Sequence, residues 1–383
     1  MKSYNKIITI IKIILGYIVY FFSIFISRKK NIWIFGSFGV YNDNSRYFYE
    51  YCLNNCNDIR SIWISKNRYS VNEAHKKGEA YYLYSIKGVY YALKGGVYIY
   101  SSYLSDISFF TSKNALRVNL WHGIPLKKIE FDINSKPLVS IFQQATILTK
   151  IIHPAQHATP NLLLSPSKYV SEYSFKNAFR VTDDAMIYAR YPRVTKLLEC
   201  VSMNQFAGYH KVFLYAPTWR DSGKDFIKEA NFEFEKFNKF LIKNNSLLLL
   251  KLHPSTKINL EVEYSNINLI DNQLDPIILM KTADCLITDY SSIYFDYLYL
   301  DRPIIFFCFD KDNYLLNREM YFDYTTITPG KIVNDQYMLI NEMNNIIQGK
   351  DFYTHERKKC FALFKLEEKN NIDIVKSIKK ENI

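Results

Sequence analysis

Four short motifs in this chain each follow a run of β-branched, aromatic or leucine residues, where a buried strand should end. They are WHGIPLKK (Trp121 to Lys128), APTWRD (Ala216 to Asp221), KLHP (Lys251 to Pro254) and TDYSS (Thr288 to Ser292). In an open α/β sheet the ligand crevice lies beyond the carboxyl ends of the strands. Two histidines, several basic side chains and a serine pair are therefore delivered to sheet edges. This pattern reads as an enzyme handling a phosphorylated substrate.

The strand signals recur along the chain. Ile32–Phe35, Ile62–Ile64, Ala80–Tyr84, Val97–Tyr100, Val118–Trp121, Leu162–Ser165 and Met186–Tyr188 predict a first series, with a helix starting near Ser45 after the loop GSFGVYNDN. Val212–Tyr215, Leu247–Leu252, Cys285–Thr288 and Ile304–Phe309 predict a second, with helices over Phe232–Ile242, Asp275–Lys281 and Ser292–Leu300. Strands alternating with helices imply parallel sheets. A chain of 383 residues holds two domains of ordinary size. Its 12 Gly and 11 Pro exclude a fibrous or disordered class. The expected arrangement is α/β: an amino-terminal segment 1–30, a first domain 31–200, a second domain 210–345 and a mixed-charge helical tail 351–383. A hinge is expected over Cys200 to Tyr209, with the two sheets facing each other across a cleft.

Charge is concentrated at the amino terminus. Lys2, Lys6, Lys12, Arg28, Lys29 and Lys30, with no acid among residues 1–30, supply half of the formal +12. A nucleic-acid binder would place its basic stripe on a folded domain. Here the excess flanks an apolar segment, which points to anionic lipid head groups and away from nucleic acid. Residues 7–27 are long enough to cross a bilayer. Yet Asn5, Thr9, Lys12, Gly16, Tyr20, Ser23 and Ser27 recur every three or four positions, forming one narrow polar stripe. Such a helix can lie in the membrane interface or dock its stripe on protein. Spanning and interfacial readings both stand at this point. If the helix spans, Arg28–Lys30 place the folded part on the cytoplasmic side.

Six cysteines, Cys52, Cys56, Cys200, Cys285, Cys308 and Cys360, show no zinc-site spacing and read as reduced thiols. His153 and His157 stand four apart, but Pro154 lies between them and no Glu does. Asp310 and Asp312 form a D-x-D pair that could hold a metal or could be two ordinary loop acids. No metal and no cofactor are expected.

His122 and His253 each follow a strand and precede a sharp backbone feature, Gly123 and Pro254. A histidine placed there can act as a base or donate to phosphate. Ser291 and Ser292 open a helix, where backbone N–H groups and hydroxyls hold phosphate; simple capping by Asp289 or Ser291 is the plainer alternative. Lys127, Lys128, Arg220, Lys251 and Arg318 could neutralise a diphosphate. Thr218 and Asp289, in the same strand-end motifs, complete the candidate substrate-binding set.

At these motifs the sequence resembles the CDP-glycerol glycerophosphotransferase family, which includes primases and polymerases of teichoic-acid synthesis. The resemblance runs from about Asn31 to Val333 through NIWIFGS, YNDNSRYFYEY, WHGIPLKKI, YAPTWRD, KLHP, ITDYSSIYFDYLYLDRPIIFF and REMYFDYTTITPGKIV. It implies a GT-B-like fold of two Rossmann-like domains, peripheral attachment to the cytoplasmic membrane face and no obligatory metal. It implies functional histidines at His122 and His253, donor-phosphate residues at Ser291 and Ser292, and a late arginine at Arg318. Ile124 stands where the family commonly has Thr, and Glu319 where it has Gly.

The expected reaction moves glycerol phosphate from CDP-glycerol to a hydroxyl of a membrane lipid-linked saccharide, with His122 as base and CMP as leaving group. A CDP-ribitol donor, a GT-B nucleotide-sugar glycosyltransferase and a non-catalytic membrane scaffold are the alternatives. Primase or polymerase action, the identity of the polymer (teichoic acid or capsule) and a homo-oligomeric state are left open.

Overall fold

The structure is a computed structural model that describes residues 2–218, 220, 230, 232–252, 262–271, 274–316, 319–364 and 366–382. It contains two α/β units. Unit 1 comprises Met1–His122, Ile129–Arg193 and Leu366–Ile383; unit 2 comprises Gly123–Lys128 and Val194–Lys365.

Unit 1 is built on seven parallel strands: β1 Lys29–Gly36, β2 Arg60–Ser65, β3 Ala80–Tyr82, β4 Gly95–Tyr100, β5 Leu116–Asn119, β6 Leu162–Ser165 and β7 Met186–Tyr188. Their order is β3-β2-β1-β4-β5-β6-β7. Ile32, Ile34, Ile62, Ile64, Tyr98 and Tyr100 form a core on one sheet face. Helices α2 Asp43–Asn55, α3 Arg68–His75 and α4 Ile86–Lys94 connect the early strands. The strand order reverses between β1 and β4, so a crevice is expected where the loops after these two strands part.

Unit 2 has six parallel strands: β8 Lys211–Tyr215, β9 Ser246–Leu250, β10 Ile267–Leu269, β11 Cys285–Thr288, β12 Ile304–Phe307 and β13 Lys331–Val333. Their order is β10-β9-β8-β11-β12-β13, with the reversal between β8 and β11. Its core joins Phe213, Leu248, Leu250, Ile287, Ile305 and Phe307 to Phe237 and Met343 from the covering helices.

All eleven expected strands are present, and two are added. β10 and β13 are three-residue edge strands. The strand expected to reach Trp121 stops at Asn119. There the Asn119 side chain accepts the Trp121 N–H at 2.8 Å and turns the chain, with Trp121 at φ +50°. The carboxy-terminal stretch forms two helices. Thr354–Leu363 packs in unit 2, where the buried Arg357 pairs with Asp301 and Asp351. Asn371–Glu381 lies in unit 1, with Lys379 paired to Asp58.

The amino-terminal helix α1 runs from Lys2 to Phe22. Among the described residues no helix is long and apolar enough to cross a membrane. The expected spanning helix is thus not found among the described residues, and part of the stripe of α1 is engaged with the rest of unit 1. Tyr20 stacks on Phe109 at 4.8 Å, Ser23 is fully buried, and a Cβ on Gly16 would sit 2.6 Å from the Phe110 ring. Ile10, Ile14, Leu15, Ile18, Phe21 and Phe22 remain exposed on the other side.

Candidate active site

In unit 1 the expected histidine lies just beyond β5, and the loops after β1 and β4 hold it. Those are the two strands at the order reversal. His122 Nδ1 lies 3.0 Å from the Ser101 carbonyl oxygen. A carbonyl only accepts, so Nδ1 carries the hydrogen and Nε2 keeps its lone pair. Trp121, buried beneath, lies 4.0 Å from the imidazole between ring centroids.

The backbone on either side of His122 is tied down. Arg193 donates to the His122 carbonyl at 2.7 Å and pairs with Asp43 at 3.0 Å. Asn44 donates to the Trp121 carbonyl at 2.8 Å and accepts the Arg193 N–H at 3.2 Å. Asp43 holds φ +61°, a conformation that Asp and Asn tolerate better than other side chains. The Ser101 loop is held in turn by Asp106, which accepts the N–H groups of Ser101 and Ser102 at 3.2 and 2.9 Å.

These contacts set the electrostatics. His122 as a residue is exposed, but the protein packed around its ring desolvates it and lowers its pKa below the ordinary value. Asp43 and the Ser101 hydrogen bond oppose that shift, and Arg193 adds to it. Burial pushes the Asp106 carboxyl up to about 7, against the pull of its backbone donors.

Unit 2 carries the second group of candidates, again at the strand-order reversal. Thr218 and Arg220 follow β8, and Asp289 to Ser292 follow β11. The Thr218 N–H donates to Asp289 at 2.8 Å. Arg220, almost fully buried, pairs with Asp289 at 2.9 Å and with Asp310 at 2.8 Å. Tyr290 donates to the same Asp310 at 3.0 Å and stacks on Tyr314 at 3.8 Å. The Arg220 guanidinium lies over both rings, at 5.2 and 5.0 Å. Lys127 also reaches Tyr314, with its ammonium 5.0 Å from the ring centroid. Both oxygens of Asp310 thus serve Arg220, which removes the D-x-D pair from ordinary metal binding. Among the described residues no cluster of three His, Cys, Asp or Glu could hold a metal ion.

Lys127 and Lys128 come to unit 2 in a short antiparallel contact. Lys127 bridges Met320, the Lys128 N–H donates to Glu319 at 2.8 Å, and the Tyr321 N–H donates to Leu126 at 2.9 Å. Lys251 caps the end of β10 by donating to the Asp271 carbonyl at 2.7 Å.

The helix expected from Ser292 to Leu300 is shorter. Ile293–Tyr297 is one α-helical turn and a half, followed by a 3₁₀ turn over Leu298–Leu300. Ser292 caps it without a side-chain hydrogen bond, and Ser291 Oγ accepts the Ile293 N–H at 3.4 Å. Asp289 faces Thr218 and Arg220 instead of capping. His253 and Arg318 lie outside the described residues.

Asp43, Asn44, Ser101, Asp106 and Arg193 were not among the sequence candidates. The available signals were the NDN run just before a helix and the arginine one residue after Pro192.

Comparison with known proteins agrees with this geometry. Residues 18–375 match the family described as CDP-Glycerol:Poly(glycerophosphate) glycerophosphotransferase. The chain belongs to this family. A teichoic acid glycerol-phosphate transferase of Staphylococcus aureus is 28% identical over 355 residues, covering 88% of this chain and 89% of the relative. A teichoic acid poly(glycerol phosphate) polymerase of Staphylococcus epidermidis is 29% identical over 353 residues. That match covers 85% of this chain but 47% of the polymerase, so the chain spans about half of that relative's length. Among solved structures, the wall teichoic acid polymerase TagF superposes with a TM-score of 0.74 at 25% identity, covering 93% of this chain and 90% of that one. A histidine-to-asparagine variant of TagF soaked with CDPG superposes with a TM-score of 0.74 at 26% identity. Family membership thus accounts for the parallel α/β units and the paired strand-end motifs.

Proposed function

We propose that this protein transfers glycerol phosphate from CDP-glycerol to a hydroxyl of a membrane lipid-linked saccharide, releasing CMP, in the synthesis of a cell-surface polymer of teichoic-acid or capsule type. The observation that carries the reading is the Ser101 carbonyl on His122 Nδ1. It leaves the lone pair on Nε2, as a general base requires.

In this reading unit 1 serves the acceptor and unit 2 the donor, in a GT-B-like scheme. His122 Nε2 takes the proton of the acceptor hydroxyl. The hydroxyl oxygen forms a bond to the phosphorus that bears glycerol, and the bond from that phosphorus to the bridging oxygen breaks. CMP leaves with that oxygen. Ser291 and Ser292 offer hydroxyls and backbone N–H groups to the donor phosphates, with Lys127 and Lys128 nearby in the same unit. The family resemblance adds His253 and Arg318 as further donors to the diphosphate. Thr218, Arg220 and Asp289 hold the floor of this region in shape. Fixed dipoles and cations placed ahead of the reaction stabilise the charge developing on CMP.

The exposed apolar side of α1 supports peripheral attachment to the cytoplasmic face of the membrane, where a lipid-linked acceptor would be found. Product analysis tests the proposal. Purified protein with CDP-glycerol and acceptor-bearing membranes should release CMP and add glycerol phosphate to the lipid fraction. A ribitol phosphate adduct formed only from CDP-ribitol would replace the donor. Release of UDP or GDP from a nucleotide-sugar would overturn the reaction class.

A further inference from the structure

A cationic pocket opens at the amino-terminal edge of the unit 1 sheet, beside the end of α1. Its volume is about 470 Å³, and its walls include Tyr20, Arg28, Lys30, Lys113, Arg117 and Glu381. β1, β4 and β5 begin there, at Lys29, Gly95 and Leu116, whereas His122 follows the opposite end of β5. Six strand residues at about 3.3 Å each place the two edges roughly 20 Å apart. The pocket is therefore separate from the His122 site.

Glu381 is the acid in the pocket wall, and the four cations Arg28, Lys30, Lys113 and Arg117 outnumber it. The two terminal nitrogens of Arg28 donate to the carbonyls of Ala92, Gly95, Thr111 and Lys113, which fix the guanidinium but bring no negative charge. The Arg28 Nε–H is buried without an acceptor. Arg117 donates to the side-chain amide of Asn161, and the Lys113 ammonium lies 5.6 Å from the Tyr20 ring centroid. Among the described residues, none of Arg28, Lys30, Lys113 and Arg117 has a carboxylate partner.

The pocket continues into apolar surface. Tyr20 and Arg117 also line a second cavity, with Tyr17, Phe109, Ile147 and Ile151. Tyr17 and Ile151 then line a third, with Ile14, Ile18, Phe21 and Phe22. Ile147 and Ile151 belong to α5, Ile147–Ile152, which is tied to α1 where the Tyr17 hydroxyl donates to the Ile151 carbonyl at 3.0 Å. The lining thus passes from four cations to hydrocarbon along one side of α1. The matching ligand carries an anionic phosphate at one end and an alkyl chain at the other.

We propose that this channel binds one anionic phospholipid, its head-group phosphate beside Lys30, Lys113 and Arg117 and an acyl chain along Tyr17, Ile14, Ile18 and Ile151. The proposal rests on the membrane-surface part of the reading above and not on the transfer chemistry. Free phosphate offers the same anion without the tail, so the two sources are separable.

The test uses the full chain and vesicles of phosphatidylcholine with or without phosphatidylglycerol, at constant salt. The double variant Lys30→Glu, Lys113→Glu should bind phosphatidylglycerol vesicles about tenfold or more weakly than the natural chain. The double variant Lys358→Glu, Lys359→Glu makes the same charge change at exposed positions of unit 2 and should lose less than about threefold. Equal losses in the two variants would reduce the site to bulk charge attraction and overturn the proposal. So would full binding by the pocket variant, or displacement of the protein from vesicles by inorganic phosphate at unchanged ionic strength. Lys30→Glu alone, at an exposed side chain, gives the same comparison if the double variant does not fold. CMP release, assayed separately, keeps a failure here distinct from a failure of the transferase reading.

Discussion

The guanidinium of Arg220 lies fork to fork on Asp310, with Nε and Nη2 at 2.8 and 3.1 Å from the two carboxylate oxygens. Its remaining nitrogen reaches Asp289 at 2.9 Å and the Thr218 carbonyl at 2.7 Å. One cation therefore joins the loops after β8, β11 and β12. Burial raises the Asp289 pKa, and the Arg220 charge opposes that rise.

Removing this cation leaves a buried carboxylate without its partner. Arg220→Ala should cost about 3–5 kcal/mol of unfolding free energy, read from denaturant midpoints. Arg220→Lys keeps the charge but loses the fork and should fall between the two. A loss below about 1 kcal/mol for Arg220→Ala would show that the network does not hold unit 2.

The depressed pKa of His122 predicts an acidic limb in the pH dependence of kcat/KM. The base works only when neutral, so activity should fall as pH drops through a pKa below the ordinary 6.5. Asp43 raises that pKa, so Asp43→Asn, which tolerates the same backbone conformation, should move the limb to lower pH. A limb that stays in place would remove the electrostatic link between the two residues.

Asp106 makes a separate prediction about stability. Burial raises its folded pKa to about 7, above the unfolded value near 3.9. Between those values the unfolded chain releases its proton first, so stability falls as pH rises from about 4 to about 7. The integrated loss is up to about 4 kcal/mol. Asp106→Asn should flatten this part of the stability profile. An unchanged slope would assign the pH dependence elsewhere.

The docked face of α1 predicts how the protein partitions. Deleting residues 1–27 removes the exposed apolar side chains from Ile10 to Phe25 and should leave the protein in the soluble fraction when membranes are pelleted. Continued sedimentation with membranes would place the attachment elsewhere.

The sheet architecture was readable because each central strand is a short apolar run of β-branched, aromatic or leucine residues closed by a polar turn. Leu247 to Leu250 is the plainest case. β3 and β7 are equally short but wholly apolar or aromatic (AYY, MIY), whereas β10 and β13 (INL, KIV) each carry a polar residue that breaks the run. The strand ends were readable as motifs, but the contacts that organise them were not. Asn44 and Arg193 meet across 149 positions of chain, and Asp310 reaches Arg220 across 90. Such pairs depend on which loops the strand order brings together, and no local spacing encodes that. TDYSS reads as the start of a helix to Leu300, and helical structure does run from Ile293 to Leu300, tightening into a 3₁₀ turn at Leu298.

Single-turnover transfer by His122→Ala tests the central claim most directly. With CDP-glycerol and acceptor-bearing membranes, the variant should keep its fold and its affinity for CDP-glycerol while CMP release drops by at least about a hundredfold. CMP release within a few-fold of the natural chain, under the same conditions, would contradict the assignment of His122 as the base.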